Sequence, residues 1–220
     1  MGHRRRRPAA SLPSAVASRV VSTRIYRSGA SVVTGGRCLG WPTVVGDASE
    51  GGGDDVDDTA PEGITPEWMA AVHEAGHAVV AASLGIPCSD ALVIGPTDDP
   101  DYWVGVFHGE AASQTTYATV VVAHAGWTAE RRAFGEHPNL ASAKAADLTS
   151  ALEAWRRLDG RTSPGPENLR AMAEAQRRVE ALADHIEILA EPLAREHRLD
   201  ASHVNELLAS VPVTAVTSAP

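Results

Sequence analysis

With 220 residues, 44% of them hydrophobic, the chain is long enough for one domain with tails and carries enough apolar side chains for a real core. A net charge of -9 argues against a nucleic-acid-binding body. No apolar run reaches the roughly eighteen residues that span a bilayer, because the longest are broken by His73, Glu74 and His77 or by His124, which excludes an intramembrane protease and leaves no membrane span.

Residues 1–62 read as a disordered tail, first basic and then acidic. Residues 1–37 hold eight arginines and no acid, and the stretch GDASEGGGDDVDDTAPEG that follows is acidic and rich in glycine. The arginine and serine bias is that of a transit peptide without the apolar core of a secretory signal, and a plain solvated tail or an over-extended start explains it equally well. Cys38 and Cys88 lie fifty residues apart and one falls in the low-complexity tail, which suggests neither a disulfide framework nor a cysteine zinc site, so a reducing, cytoplasmic compartment fits.

Trp68 to Gly85 predicts a helix, with Thr65 as N-cap, Pro66 and Glu67 in the first turn and Gly85 closing it. Within it, His73 and His77 are four apart and project from one face, close enough to grip one ion. Glu74, one residue on, can face a water on that ion without being a ligand, which is the position of a general base. Two histidines on a buried helix can also be core residues satisfied by carbonyls. The surrounding apolar positions weigh against that alternative, because a buried carboxylate at Glu74 without a cation nearby would cost roughly several kcal/mol.

Ala91–Gly95 and Tyr102–His108 are rich in strand formers and flank the turn PTDDPD, which predicts a hairpin or small sheet beside the helix. The second of these is expected to be an edge strand that holds a polypeptide substrate in extended form, and His108 is expected to be a surface histidine at its end. Residues 113–134 predict a second helix with His124 on its apolar stripe, more in keeping with a core histidine than with a ligand. Glu130 on the same helix could orient a ligating histidine or pair with Arg131. A loop over 135–142 leads to a helix over 143–158 that faces the core with Leu148, Leu152 and Trp155. A long amphipathic helix is expected over 167–191, with Leu169, Met172, Val179 and Ile186 on its apolar side. Asp200 caps a last helix, His185, His197 and His203 are solvated or packing residues, and 211–220 is a loose C-terminal tail.

A catalytic zinc needs a third protein ligand and an open fourth position. A metzincin would require glycine at 80 and histidine at 83, where this chain has Val80 and Ser83. A thermolysin-type arrangement, with a glutamate from a following helix, would use Glu130.

HEAGHAVVA, AGWTAERRAFG, AKAADLTSAL and the closing stretch AQRRVEALADHIEILAEPLAREHRLDASHVNELL resemble, in order and spacing, the peptidase domain of the FtsH-type AAA zinc metalloproteases over about residues 65–210. The resemblance implies a mainly helical (α+β), zincin-like domain over 63–210. It implies zinc held by His73, His77 and Asp147, with Glu74 as the catalytic base in peptide-bond hydrolysis. It also implies a homo-oligomer and a separate ATPase partner, since the chain has no G-x-x-x-x-G-K-[ST] loop and its single lysine is Lys144. Trp127 stands where that family has arginine and Ala146 where it has asparagine. These departures motivate the alternative of a non-catalytic interaction or regulatory module on the same fold.

Overall fold

The computed structural model describes residues 18–23, 26–27, 64–96, 102–111, 116–159 and 165–214. Over these residues the chain is mainly helical with one small antiparallel sheet, the α+β class expected. The first and last residues of the chain, the acidic glycine-rich run, most of the expected PTDDPD turn and residues 160–164 lie outside the described residues.

Everything packs around α1 (Pro66–Ser83). Thr65 caps it by accepting the Trp68 N–H at 3.3 Å, and Gly85, at φ 72°, turns the chain away past its end. Every residue from Met69 to Ala81 is buried. A helix covered on all sides belongs at the centre of a domain, and α3 (Ala125–Phe134), α6 (Ala183–Glu196) and the strand β4 (Tyr102–Ala111) enclose this one. Small residues set how closely they approach: a Cβ added to Gly76 would lie 2.7 Å from Ala129 Cβ on α3, well inside ordinary contact.

The sheet runs in the order β1 (Ser18–Thr23), β4, β3 (Leu92–Pro96), β5 (Arg198–Leu199), and β2 (Tyr26–Arg27) also pairs with β4. On β4 the pleat alternates, with Trp103, Gly105, Phe107 and Gly109 buried and Val104, Val106 and His108 half-buried between them. Two expectations change here. The strand around Tyr102–His108 is interior rather than an edge, and His108 lies within it rather than at its end. Residues 18–23 and 26–27, assigned to a disordered tail, are the strands that cover it. SRVVST is too short to show a period of its own, and it takes its form from the backbone partner.

The helix expected over 113–134 is two, α2 (Thr116–Ala123) and α3, broken at His124, whose N–H is shared between the carbonyls of Val120 and Val121 at 3.1 and 3.2 Å. No glycine or proline marks this break. The next helix, α4 (Pro138–Asp159), starts at Pro138 rather than at 143, so Asp147 sits in its middle. Of its three expected core residues, Trp155 is buried while Leu148 and Leu152 are half-buried. The long helix expected over 167–191 is also two, α5 (Pro166–Ala181) and α6, separated at Leu182, and Pro192 lies inside α6 without ending it. Leu169, expected in the core, is 64% exposed.

After α7 (Ala201–Leu207), the chain up to Thr214 is held rather than loose. Val211 is buried, and Arg178 of α5 donates to the Thr214 hydroxyl at 3.0 Å, the Thr214 carbonyl at 3.2 Å and the Ser83 hydroxyl at 2.9 Å, while its Nε bonds Glu174 at 2.8 Å. One buried guanidinium thereby ties the end of α1, α5 and the C-terminal segment together. Among the described residues no helix is long and apolar enough to cross a membrane.

Candidate metal centre

On α1 the imidazoles of His73 and His77 stand edge to face, ring centroids 4.6 Å apart and planes at 76°, both fully buried. Their Nδ1 atoms are committed outward. His77 Nδ1 lies 2.7 Å from the Val122 carbonyl on α2, which only accepts, so this nitrogen carries the proton. His73 Nδ1 bonds the carboxylate of Glu130 on α3. With both protons on Nδ1, the two Nε2 atoms present lone pairs to the same space, 2.9 Å apart.

Asp147 of α4 completes the group. Its Oδ1 lies 3.3 Å from His77 Nε2 and its Oδ2 3.7 Å from His73 Nε2, and the Trp127 backbone N–H donates to Oδ2 at 3.1 Å, which fixes the carboxylate. The ligand atoms of His73, His77 and Asp147 all fall within 4.8 Å of one another, and all three residues are buried. Three electron-rich atoms pointed at one another away from water repel unless a cation lies between them. A four-coordinate ion with bonds of about 2.0–2.1 Å needs its ligand atoms about 3.3 Å apart; here the two Nε2 atoms are 2.9 Å apart, and the carboxylate approaches one to 3.3 Å through Oδ1 and the other to 3.7 Å through Oδ2. The group can therefore hold a metal ion.

Gly126, in the first turn of α3, keeps the space open. A Cβ there would collide with His73 Cε1 and Nε2 and with His77 Nε2, at the point where an ion shared by the two rings would sit. Gly105 of β4 has the same relation to Glu74. Its missing side chain is what lets the strand lie against the Glu74 carboxylate, since a Cβ would overlap Cγ, Cδ and Oε1. Glu74 is fully buried on α1, three residues before His77 and so adjacent to it on the helix surface.

The sequence-derived ligand candidates thus come together from two separate helices, His73 and His77 from α1 and Asp147 from α4. Glu130 sits at the outer nitrogen of His73, orienting that ring rather than joining the group. Sequence reasoning missed His137, whose side chain is buried against Phe134 with Nε2 3.5 Å from the other Glu130 oxygen. It also missed Val122 and Trp127 as partners, because they act through backbone atoms that leave no residue signature.

His124 is a core histidine, as read. Its Nε2 bonds Asn168 Oδ1 at 3.0 Å and its Nδ1 accepts from the Trp127 indole N–H at 3.5 Å. Burial lowers its pKa below the usual histidine value, only partly opposed by the Asn168 bond and the nearby Asp147 charge, so it is neutral. In comparisons with known proteins, no family model matches the sequence and no curated protein is similar to it.

Proposed function

We propose that the protein is a zinc-dependent metalloendopeptidase that hydrolyses peptide bonds of unfolded or flexible polypeptides, in the manner of the peptidase domain of FtsH-type proteases. The observation that carries this reading is the convergence of His73, His77 and Asp147 on one buried point, with Glu74 buried on the same helix three residues before His77.

His73 and His77 through Nε2 and Asp147 through a carboxylate oxygen would hold the ion, and two imidazoles with one carboxylate are a donor set suited to zinc. When bound, zinc supplies Lewis acidity, polarising a carbonyl oxygen and making water acidic near neutral pH. The remaining work belongs to the chain. Glu130 keeps His73 in the Nδ1–H tautomer and raises its basicity, and the Val122 carbonyl does the same for His77. The Trp127 N–H holds Asp147 in place. Glu74 takes a proton from the attacking water onto a carboxylate oxygen and returns it to the leaving amine nitrogen. Gly105 keeps the strand close over this carboxylate, which shields it from bulk water.

The test is zinc content and cleavage of casein without ATP for the parent, Asp147→Ala and Glu74→Gln. The expected pattern is one zinc and cleavage in the parent, loss of zinc in Asp147→Ala, and retained zinc with no cleavage in Glu74→Gln. A Glu74→Gln protein that cleaves as fast as the parent removes the proposed base. Zinc without cleavage both in the parent and in a variant whose β1 no longer pairs with β4 replaces the enzyme reading with that of an interaction module.

A further inference from the structure

β4 is the strand that lies against Glu74, and its far edge is already taken. β1 pairs with it from Ser18 opposite Ala111 to Thr23 opposite Val106, and β2 continues with Tyr26 opposite Trp103 and Arg27 opposite Tyr102. The two runs keep the same antiparallel offset to β4. Gly105 falls in the interval of β4 between these pairings, so the two paired runs of this N-terminal segment flank the level of Glu74.

The other neighbours of this segment are the helices that build the centre. β1 packs against α2, which carries Val122, and against α4, which carries Asp147, while β2 packs against α1 and α4. A polypeptide must lie in this space, between the strand and the ligand-bearing helices, for Glu74 to reach one of its bonds. Pairing along an edge is made by backbone groups, so it accepts any extended chain without reading side chains. The chain's own residues and a substrate therefore compete for the same donors and acceptors.

We propose that β1 and β2 occupy in cis the edge of β4 that binds an extended polypeptide substrate, so that the N-terminal segment blocks the cleft until it is displaced. This rests on the peptidase reading for its purpose, but not for its geometry.

The test locks and releases the strand in the zinc-loaded chain of 220 residues. Thr23 and Val106 are directly opposed, and opposed residues in antiparallel pairs have Cα atoms about 4.5–5.5 Å apart, within disulfide range. Thr23→Cys with Val106→Cys, in a Cys38→Ser background, therefore locks the strand when oxidised and frees it when reduced. Burial raises the Cys88 thiol to about 11, which keeps it out of exchange at neutral pH. Val20→Pro with Val21→Pro releases the strand instead, because successive residues alternate in facing β4 and one of the two prolines must remove a pairing N–H.

Binding of fluorescein-labelled unfolded casein is read by anisotropy in the Glu74→Gln background, and cleavage with Glu74 present. Expected are loss of binding in the oxidised lock, recovery on reduction and at least about fivefold tighter binding in the proline variant than in the parent, all with zinc content unchanged. Equal binding by locked and released forms, or no binding by either, overturns the proposal. Binding that switches without cleavage in any form supports the cis strand and overturns the peptidase. Cleavage at equal rates by locked and released forms does the reverse.

Discussion

Gly126→Ala places a methyl group at the position where the donor atoms converge. The added Cβ would overlap the inner edges of both imidazoles, whose outer nitrogens are tied to Glu130 and Val122. The rings must shift or α3 must move away, and overpacking of this kind costs about 1–3 kcal/mol. The gain in helix propensity from glycine to alanine returns about 1 kcal/mol, so the metal-free protein should stay folded and lose at most about 2 kcal/mol. Metal binding has no such compensation. Disturbing the orienting shell alone typically costs about 10–100-fold in affinity, and obstruction of the ion's own space should cost at least about 100-fold. At a zinc concentration that saturates the parent, that loss removes about 2.7 kcal/mol of ligand stabilisation. At about 2–4 °C per kcal/mol for a domain of this size, the zinc-induced rise in Tm should shrink by about 5–11 °C. Thermal unfolding with and without zinc, paired with chelator competition, measures both quantities. A Gly126→Ala protein that binds zinc with parental affinity would refute the placement of the ion between the two histidines.

Burial of neutral His124 makes stability depend on pH. Its folded pKa is lowered below 6.5, so as pH falls through 6.5 the unfolded chain takes up a proton that the folded one does not, and stability drops at up to about 1.4 kcal/mol per pH unit. Denaturant unfolding of metal-free parent and His124→Gln between pH 7.5 and 5 should show a shallower decline in the variant, and parallel curves would contradict this assignment. Arg178→Ala should destabilise the fold by about 2–4 kcal/mol, somewhat below the usual cost of stranding a buried charge, because Arg177 still pairs with Glu174. A change under about 0.5 kcal/mol in urea unfolding would mean that the three-way tie at Ser83 and Thr214 contributes nothing.

The part of the centre that lies on one helix was legible because its period is fixed. His73, Glu74 and His77 are placed by 3.6 residues per turn whatever else the chain does. Asp147 lies seventy residues beyond His77 and nothing local marks it, so only the resemblance singled it out. The helix breaks at His124 and Leu182 carry no glycine or proline and were read as continuous. Gly126 and Gly105 did offer a signal, each a residue without a side chain in a stretch of larger ones, but its meaning depends on what passes close by. β1 was invisible for a related reason: its hydrogen bonds go to residues more than eighty positions away.

The outward contacts of the three donor residues share an origin. Val122, Trp127 and Glu130, which hold His77, Asp147 and His73, all lie within one stretch of nine residues on either side of the His124 break. That stretch works as a jig. It fixes the outer contacts of all three donors and so sets their spacing. A cage with two nitrogens and one carboxylate at fixed short separations is poorly matched to calcium, which wants six to eight oxygens at longer range, and to magnesium, which wants an octahedron of oxygens and keeps its water. A metal held by this group would be selected by the bend between α2 and α3 as well as by the identity of the ligands.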